Sequence, residues 1–193
     1  MADAAGMLMV GLAGAAILLA AYLAVKTHGS GYAPFTLKRV LTWYSRVIML
    51  IAILLIAMES AHLLAVLSGT LFGNEFAFGG HDSPNYGLAV ARSAFLIVAA
   101  ALVYVTHQRL RSIFDPAPGD PIARRFLIAA ISVIFGVATF TLLVQSGLET
   151  ISYIDHGAGK GAGPGSLLAG LIVALAFWGA ALAFLRRELS RPD

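Results

Sequence analysis

VIMLIAILLIAMESAHLLAVLSG, residues 47–69, decides what kind of molecule this is. Within it only Glu59 and His62 carry ionisable side chains, and no proline interrupts it. A helix needs about 20 predominantly apolar residues to cross a hydrocarbon core roughly 30 Å thick. This stretch is long enough. Lipid offers no water to the backbone, so a spanning segment must satisfy its own N–H and C=O groups as a helix. A membrane barrel would need alternating apolar and polar residues, which are absent here.

Four further runs have the same character: residues 7–25, 88–106, 126–147 and 167–185. Over all 193 residues, 59% are hydrophobic and 12% are charged. An ordinary soluble domain carries roughly 25% charged residues, so the surface is built for lipid. The first run reads as a span rather than a cleaved leader. Asp3 and no basic cluster precedes it, Lys26 follows it, and no small-x-small site lies beyond it. With no cysteine in the chain, disulfides, thiolate metal sites, iron–sulfur clusters and thiol nucleophiles are excluded. The net charge of +3 is spread between apolar runs and is not gathered on a soluble face, which argues against nucleic-acid binding.

The connections set the orientation. Lys26, Lys38, Arg39, Arg46, Arg109, Arg111, Arg124, Arg125, Arg186, Arg187 and Arg191 all fall on one side, whereas Lys160 falls on the other and Arg92 lies inside a run. Cationic connections stay in the cytoplasm. The expectation is therefore an all-α integral membrane protein of the bacterial inner membrane, with five transmembrane helices, the N-terminus outside and the C-terminus inside. Residues 34–46 are too polar to cross. Leu37, Val40, Leu41 and Tyr44 nevertheless recur at helical spacing, with Thr36 placed to cap them. They read as an interfacial amphipathic helix feeding the second span; the competing reading is one long helix entering the membrane directly. Pro116, Pro118 and Pro121 make the segment from Phe114 to Pro121 a short stiff turn.

Laying Arg46 on Arg125, and Gly87 on Gly165, aligns two pairs of apolar helices without gaps at offsets that differ by a single residue. Helices two–three and four–five then form a duplicated two-helix unit making a four-helix bundle, with the first helix peripheral to it. Small residues four apart mark candidate close contacts: Gly11 and Ala15, Ser132 and Gly136, Gly170 and Ala174, Ala176 and Ala180.

The strongest chemical signal is the intramembrane cluster Glu59, His62 and Arg92. A charge near mid-bilayer costs several kcal/mol unless paired or neutral. Glu59 and His62 share a helical face with Ser60 between them, and Arg92 enters from the same outer side, where its side chain is expected to pair with Glu59. Thr141, Gln145 and Glu149 form a polar stripe that opens outward, with Thr141 aligned on His62 by the repeat. His81 with Asp82, and Asp155 with His156, could supply four ligands to zinc or copper if the outer loops meet; solvated turns are the plainer reading. A haem with two histidine ligands needs a second histidine at the depth of His62, which the spans lack. A haem or quinone therefore depends on a non-histidine ligand or a partner's residue. Phe72, Phe76 and Phe78, with Tyr86 beyond, suit either an interfacial dip or a docking surface.

No nucleophile triad, zinc-protease motif or nucleotide fingerprint occurs. The loop around Lys160 also fails as a phosphate loop, because no strand precedes it and Gly161 follows the lysine. The leading expectation is a non-catalytic membrane subunit or scaffold packing with lipids and other membrane subunits. The alternatives are a small transporter or proton pathway through Glu59, His62 and Arg92, and an electron-transfer or quinone- or haem-binding anchor. Because the chain lacks cysteine, its orientation can be read with single introduced thiols. Lys160→Cys is expected to react with an impermeant maleimide on intact spheroplasts, and Ala117→Cys only after the membrane is opened; the reverse pattern would invert the orientation.

Overall fold

The computed structural model describes residues 37–78, 85–114, 121–156 and 163–190, and these are all-helical with no strand among them. In chain order the helices are α1 (Leu37–Phe72), α2 (Asn74–Phe78), α3 (Tyr86–Phe114), α4 (Pro121–His156) and α5 (Pro164–Leu189). Four of them, α1, α3, α4 and α5, contain windows long and apolar enough to cross a membrane. Each encloses one of the runs at 47–69, 88–106, 126–147 and 167–185. The run at 7–25 lies outside the described residues.

One expectation is corrected. Residues 37–46 are not a separate interfacial helix, since α1 continues through Arg46 without a break. No proline or glycine stands between Leu37 and Ser68 to turn the chain, and the polar residues of these turns are claimed by packing. Thr42, Ser45 and Arg46 are buried. The Trp43 ring lies 5.4 Å from Phe126 of α4, and the Tyr44 ring 5.8 Å from His107 of α3. At 36 residues α1 is about 54 Å long, longer than a hydrocarbon core of roughly 30 Å, and its first turns gather the ends of its neighbours.

Ends and starts follow local chemistry. α1 stops at Gly73, whose φ of 94° is the left-handed conformation that glycine adopts most easily. Its N–H donates to the Gly69 carbonyl at 3.1 Å. Asn85 opens α3 with its side-chain oxygen accepting from the Leu88 N–H at 3.2 Å. Pro164 opens α5 from an extended Gly163, with no N–H to waste.

The packing is two hairpins. α1 lies along α3 and α4 lies along α5, and the pairs meet mainly through α1 against α5, with a lighter contact to α4. α3 packs on α1 and makes at most glancing contact elsewhere, so the assembly is more open than a closed bundle. Leu50, Leu54 and Ala57 of α1, Leu127, Ile134 and Phe135 of α4, and Ala174 of α5 form the core, in which the Phe135 and Phe177 rings stack at 5.0 Å. Buried Ser132, Thr139 and Ser146 recur every seven residues along α4, the period of left-handed helix pairing. Gly136 admits Trp178, and Gly170 admits Leu142. The expected Ser132–Gly136 and Gly170–Ala174 contacts therefore lie in this interface. Ala176 and Ala180 face outward, and Gly11 and Ala15 are outside the described residues.

All described Lys and Arg side chains except Arg92 belong to helix ends that meet on one side. Trp43 with Phe126, Tyr44 with His107, and the ion pair of Arg124 with Glu188 tie those ends together. At the opposite end α2 acts as a wedge. Ala77 is fully buried. The Phe76 ring lies 5.7 Å from Phe72 and 5.9 Å from Tyr153. The rings of Phe72, Phe76 and Tyr153 thus link α1, α2 and α4, while Phe72 itself stays exposed. A Cβ on Gly163 would overlap the Phe76 carbonyl, and one on Gly165 would come within 2.6 Å of the Phe76 ring. Gly163→Val is accordingly expected to destabilise the protein by about 1–3 kcal/mol through forced displacement of α2. Gly179→Val, where no atom lies within 4 Å, should leave the melting temperature in detergent within experimental error; equal melting of the two variants would refute the wedge.

Candidate functional site

The seam between α1 and α3 carries the most concentrated polar chemistry within the apolar length of the molecule. From Arg46 to Glu59 the helix rises about 20 Å, and Glu59 falls within the membrane-capable stretch Leu41–Phe72. His62 follows one turn later on the same face. Across the seam stands Ser93, whose side chain is completely buried. Its hydroxyl donates to Glu59 Oε2 at 2.8 Å, and its Oγ lies 2.9 Å from His62 Nδ1. Glu59 Oε2 and His62 Nδ1 are 4.0 Å apart, too far for a direct hydrogen bond. Ser93 is therefore the bridge.

This geometry ties the tautomer of His62 to the proton on Ser93. A hydroxyl has a single proton to give. When Ser93 gives that proton to Glu59 it can only accept from His62, so Nδ1 carries hydrogen and Nε2 is bare; when Ser93 instead donates to Nδ1, hydrogen sits on Nε2. The arrangement is that of a carboxylate orienting a histidine through an intermediary. Nε2 belongs to a side chain 45% exposed, against 14% for Glu59. The acid is enclosed and the imidazole edge is open.

The expected Glu59–Arg92 pair is corrected. Arg92 is exposed, and among the described residues no ion pair involves it. Successive helix positions differ by about 100°, so a face that turns Ser93 into the seam turns Arg92 away. Its long side chain can reach toward the outer surface with the stem in apolar contact. Ser93 went unread because a serine in an alanine-rich span makes no motif; its signal was its position beside an outward-facing arginine, level with Glu59. Ser60, between Glu59 and His62, is half-buried.

The stripe on α4 is real as a stripe but lies on the surface. Gln145 is exposed, and Thr141 and Glu149 are half-buried. His62 and Gln145 each stand the same number of residues beyond the Trp43–Phe126 contact, about 28 Å up their helices. Gln145, rather than Thr141, is therefore level with His62, and the gapless repeat is displaced by about one turn from the structural register.

Among the described residues no group of three or more His, Asp, Glu or Cys side chains converges as a metal site. Asp155 Oδ2 pairs with His156 Nδ1 at 3.2 Å, both exposed; His81 and Asp82 are outside the described residues. His107 is engaged with the Val103 carbonyl at 2.8 Å near the cationic end, so His62 has no described histidine opposite it. No family model, curated protein or solved structure matches the chain.

Ser93→Ala removes both bonds of the bridge and strands two polar partners. A loss of about 1–3 kcal/mol is expected. Arg92→Gln is expected to change stability by less than about 0.5 kcal/mol, as surface substitutions do. Chemical or thermal unfolding in one detergent checks both. A larger loss for Arg92→Gln than for Ser93→Ala would restore the arginine to the cluster.

Proposed function

We propose that this chain is a non-catalytic integral subunit of a larger assembly in the bacterial inner membrane, with its cationic end in the cytoplasm and its helices packed against other membrane subunits and lipid. The observation that carries this reading is the state of α3. Only 11% of its apolar window is buried within the chain, against 28% for α1. α3 leans on α1 by one face and presents Leu88, Phe95, Val98 and Leu102 on others.

Apolar exposure alone suits lipid. Polar exposure at the same height does not. His62 and Arg92 both lie within or beside the α1–α3 seam and are open, and a polar group facing hydrocarbon is costly unless another chain or water meets it. A neighbouring subunit seated on α3 would supply van der Waals contact along the apolar face and hydrogen-bond partners at the seam, the two forces that hold helices together in lipid. Nearly all of the described residues lie in helices, which favours a role exercised by packing.

A photoreactive residue at Phe95 or Leu102 is expected to cross-link α3 to a second polypeptide in native membranes, and the complex extracted in mild detergent is expected to exceed the 20.2 kDa of one chain. The same probe at Ile154, exposed near the outer end of α4, serves as the control. A monomer whose α3 probe captures only residues 7–25 of its own chain would overturn the subunit reading.

A further inference from the structure

We infer that Glu59, Ser93 and His62 constitute one proton-binding unit that is loaded and unloaded at His62 Nε2. This goes beyond a packing role and does not depend on it.

The distances leave one route between acid and imidazole. Direct exchange is blocked by the 4.0 Å gap from Glu59 Oε2 to His62 Nδ1. Both groups are within hydrogen-bond reach of Ser93 Oγ, at 2.8 and 2.9 Å. In the unloaded state Glu59 is ionised, Ser93 donates to it, His62 Nδ1–H donates to Ser93, and Nε2 is bare. A proton arriving at Nε2 forms a new N–H bond and gives an imidazolium. The Nδ1–H bond then breaks as that proton passes to Ser93 Oγ, while the original hydroxyl proton leaves Ser93 and bonds to Glu59 Oε2. The loaded state has a neutral carboxylic acid, a serine hydroxyl and a neutral imidazole bearing hydrogen on Nε2. One proton has been gained, and the net charge of the unit has gone from minus one to zero.

Both states keep the two bonds that join Glu59, Ser93 and His62. In the loaded state Glu59 donates to Ser93, and Ser93 donates to Nδ1, so every bond has reversed with no heavy atom displaced. The loaded state carries no charge, and the single charge of the unloaded state is held on Glu59 by the Ser93 hydroxyl. A hydroxyl is suited to the middle position because it donates and accepts at once. The complete burial of Ser93 keeps water from short-circuiting the chain, while the open edge of His62 provides the port.

Few other charges bear on it. On α3 the neighbouring ionisable groups are Arg92, which faces out, and Tyr104, about 16 Å further along the helix. α5 has no titratable side chain from Pro164 to Leu185, and α4 has none from Phe126 to Leu148. On the outer side Tyr86 meets Gly69, and Glu75 of α2 is exposed beyond it. Residues 7–25, whatever they pack against, bring no Asp, Glu, His, Lys or Arg.

The test is a pH titration of the full chain in lipid bilayers. Nitrogen-15 spectra of labelled histidine, with His62 assigned by His62→Gln, follow the tautomer. The infrared carboxyl band, assigned by Glu59→Gln, follows the acid. On lowering the pH, His62 is expected to change from hydrogen on Nδ1 to hydrogen on Nε2 with the same midpoint at which the protonated Glu59 band appears. In Ser93→Ala the two midpoints should separate by at least about one pH unit, the coupling strength that distinguishes joint from independent titration. Ser93→Thr, which keeps the hydroxyl, should rejoin them. Separate midpoints in the wild type, hydrogen fixed on Nε2 throughout, or a shared midpoint that survives Ser93→Ala would each overturn the proposal. The wild-type titration decides it alone should the alanine variant fail to fold.

Discussion

A polypeptide in hydrocarbon has no solvent for its peptide groups, and every element of this molecule follows from that. The backbone must close its own hydrogen bonds, so the spans are helices. Once they are helices, lipid competes on equal terms for their apolar faces, and only close packing or polar bonds distinguish one neighbour from another. α1 is where those distinctions concentrate. It contacts every other described helix, carries half of the seam chemistry, and is long enough to collect the ends of α3 and α4 through Tyr44 and Trp43.

The two hairpins share a plan and differ in what holds them. Each begins with a helix of 36 residues and ends with a shorter one. In the first, the bond across the seam is polar and directional, running Glu59 to Ser93 to His62. In the second, the hydroxyls on α4 turn inward without bridging: Ser146 bonds the Leu143 carbonyl and Thr150 the Ser146 carbonyl, both within their own helix. Closeness substitutes for polarity there, with Gly136 receiving Trp178 and Gly170 receiving Leu142. The second hairpin is also clamped at its open end by Arg124 and Glu188, a pair whose acid is almost fully enclosed. If the hairpins descend from one unit, the copies kept the topology and parted in their adhesive.

How much of this the residue pattern discloses depends on the kind of force involved. Spans are set by length and composition summed over some twenty positions, so 47–69, 88–106, 126–147 and 167–185 were legible. The separate helix at 34–46 was not, because an apolar stripe with flanking cations looks the same whether headgroups or other helices receive it. Here His107 meets Tyr44 of that stripe, and Phe126 meets the adjoining Trp43. Glu59 and His62 declared themselves by cost, as ionisable groups in lipid do. Their partner did not: Arg92 has the charge that pairing logic seeks, while Ser93 has the position, and position depends on the rotation of α3 about its axis. The wedge formed by α2 was equally hidden, since its two glycine contacts join segments far apart in the chain.

The open edge of His62 connects the two functional readings. A bare imidazole nitrogen against acyl chains would be an acceptor without a donor, a state proteins in any solvent avoid. It sits at the seam whose outer helix, α3, is the least covered of the four spans. Whatever seats itself on α3 must therefore also meet Nε2. A neighbour that brings only methyl groups would leave that nitrogen unsatisfied and favour the state in which it already carries hydrogen, whereas one that brings a donor would favour the bare state. Packing and proton occupancy are thus coupled through a single atom: a partner that prefers one tautomer must, by linkage, have its own affinity altered when the unit gains or loses a proton.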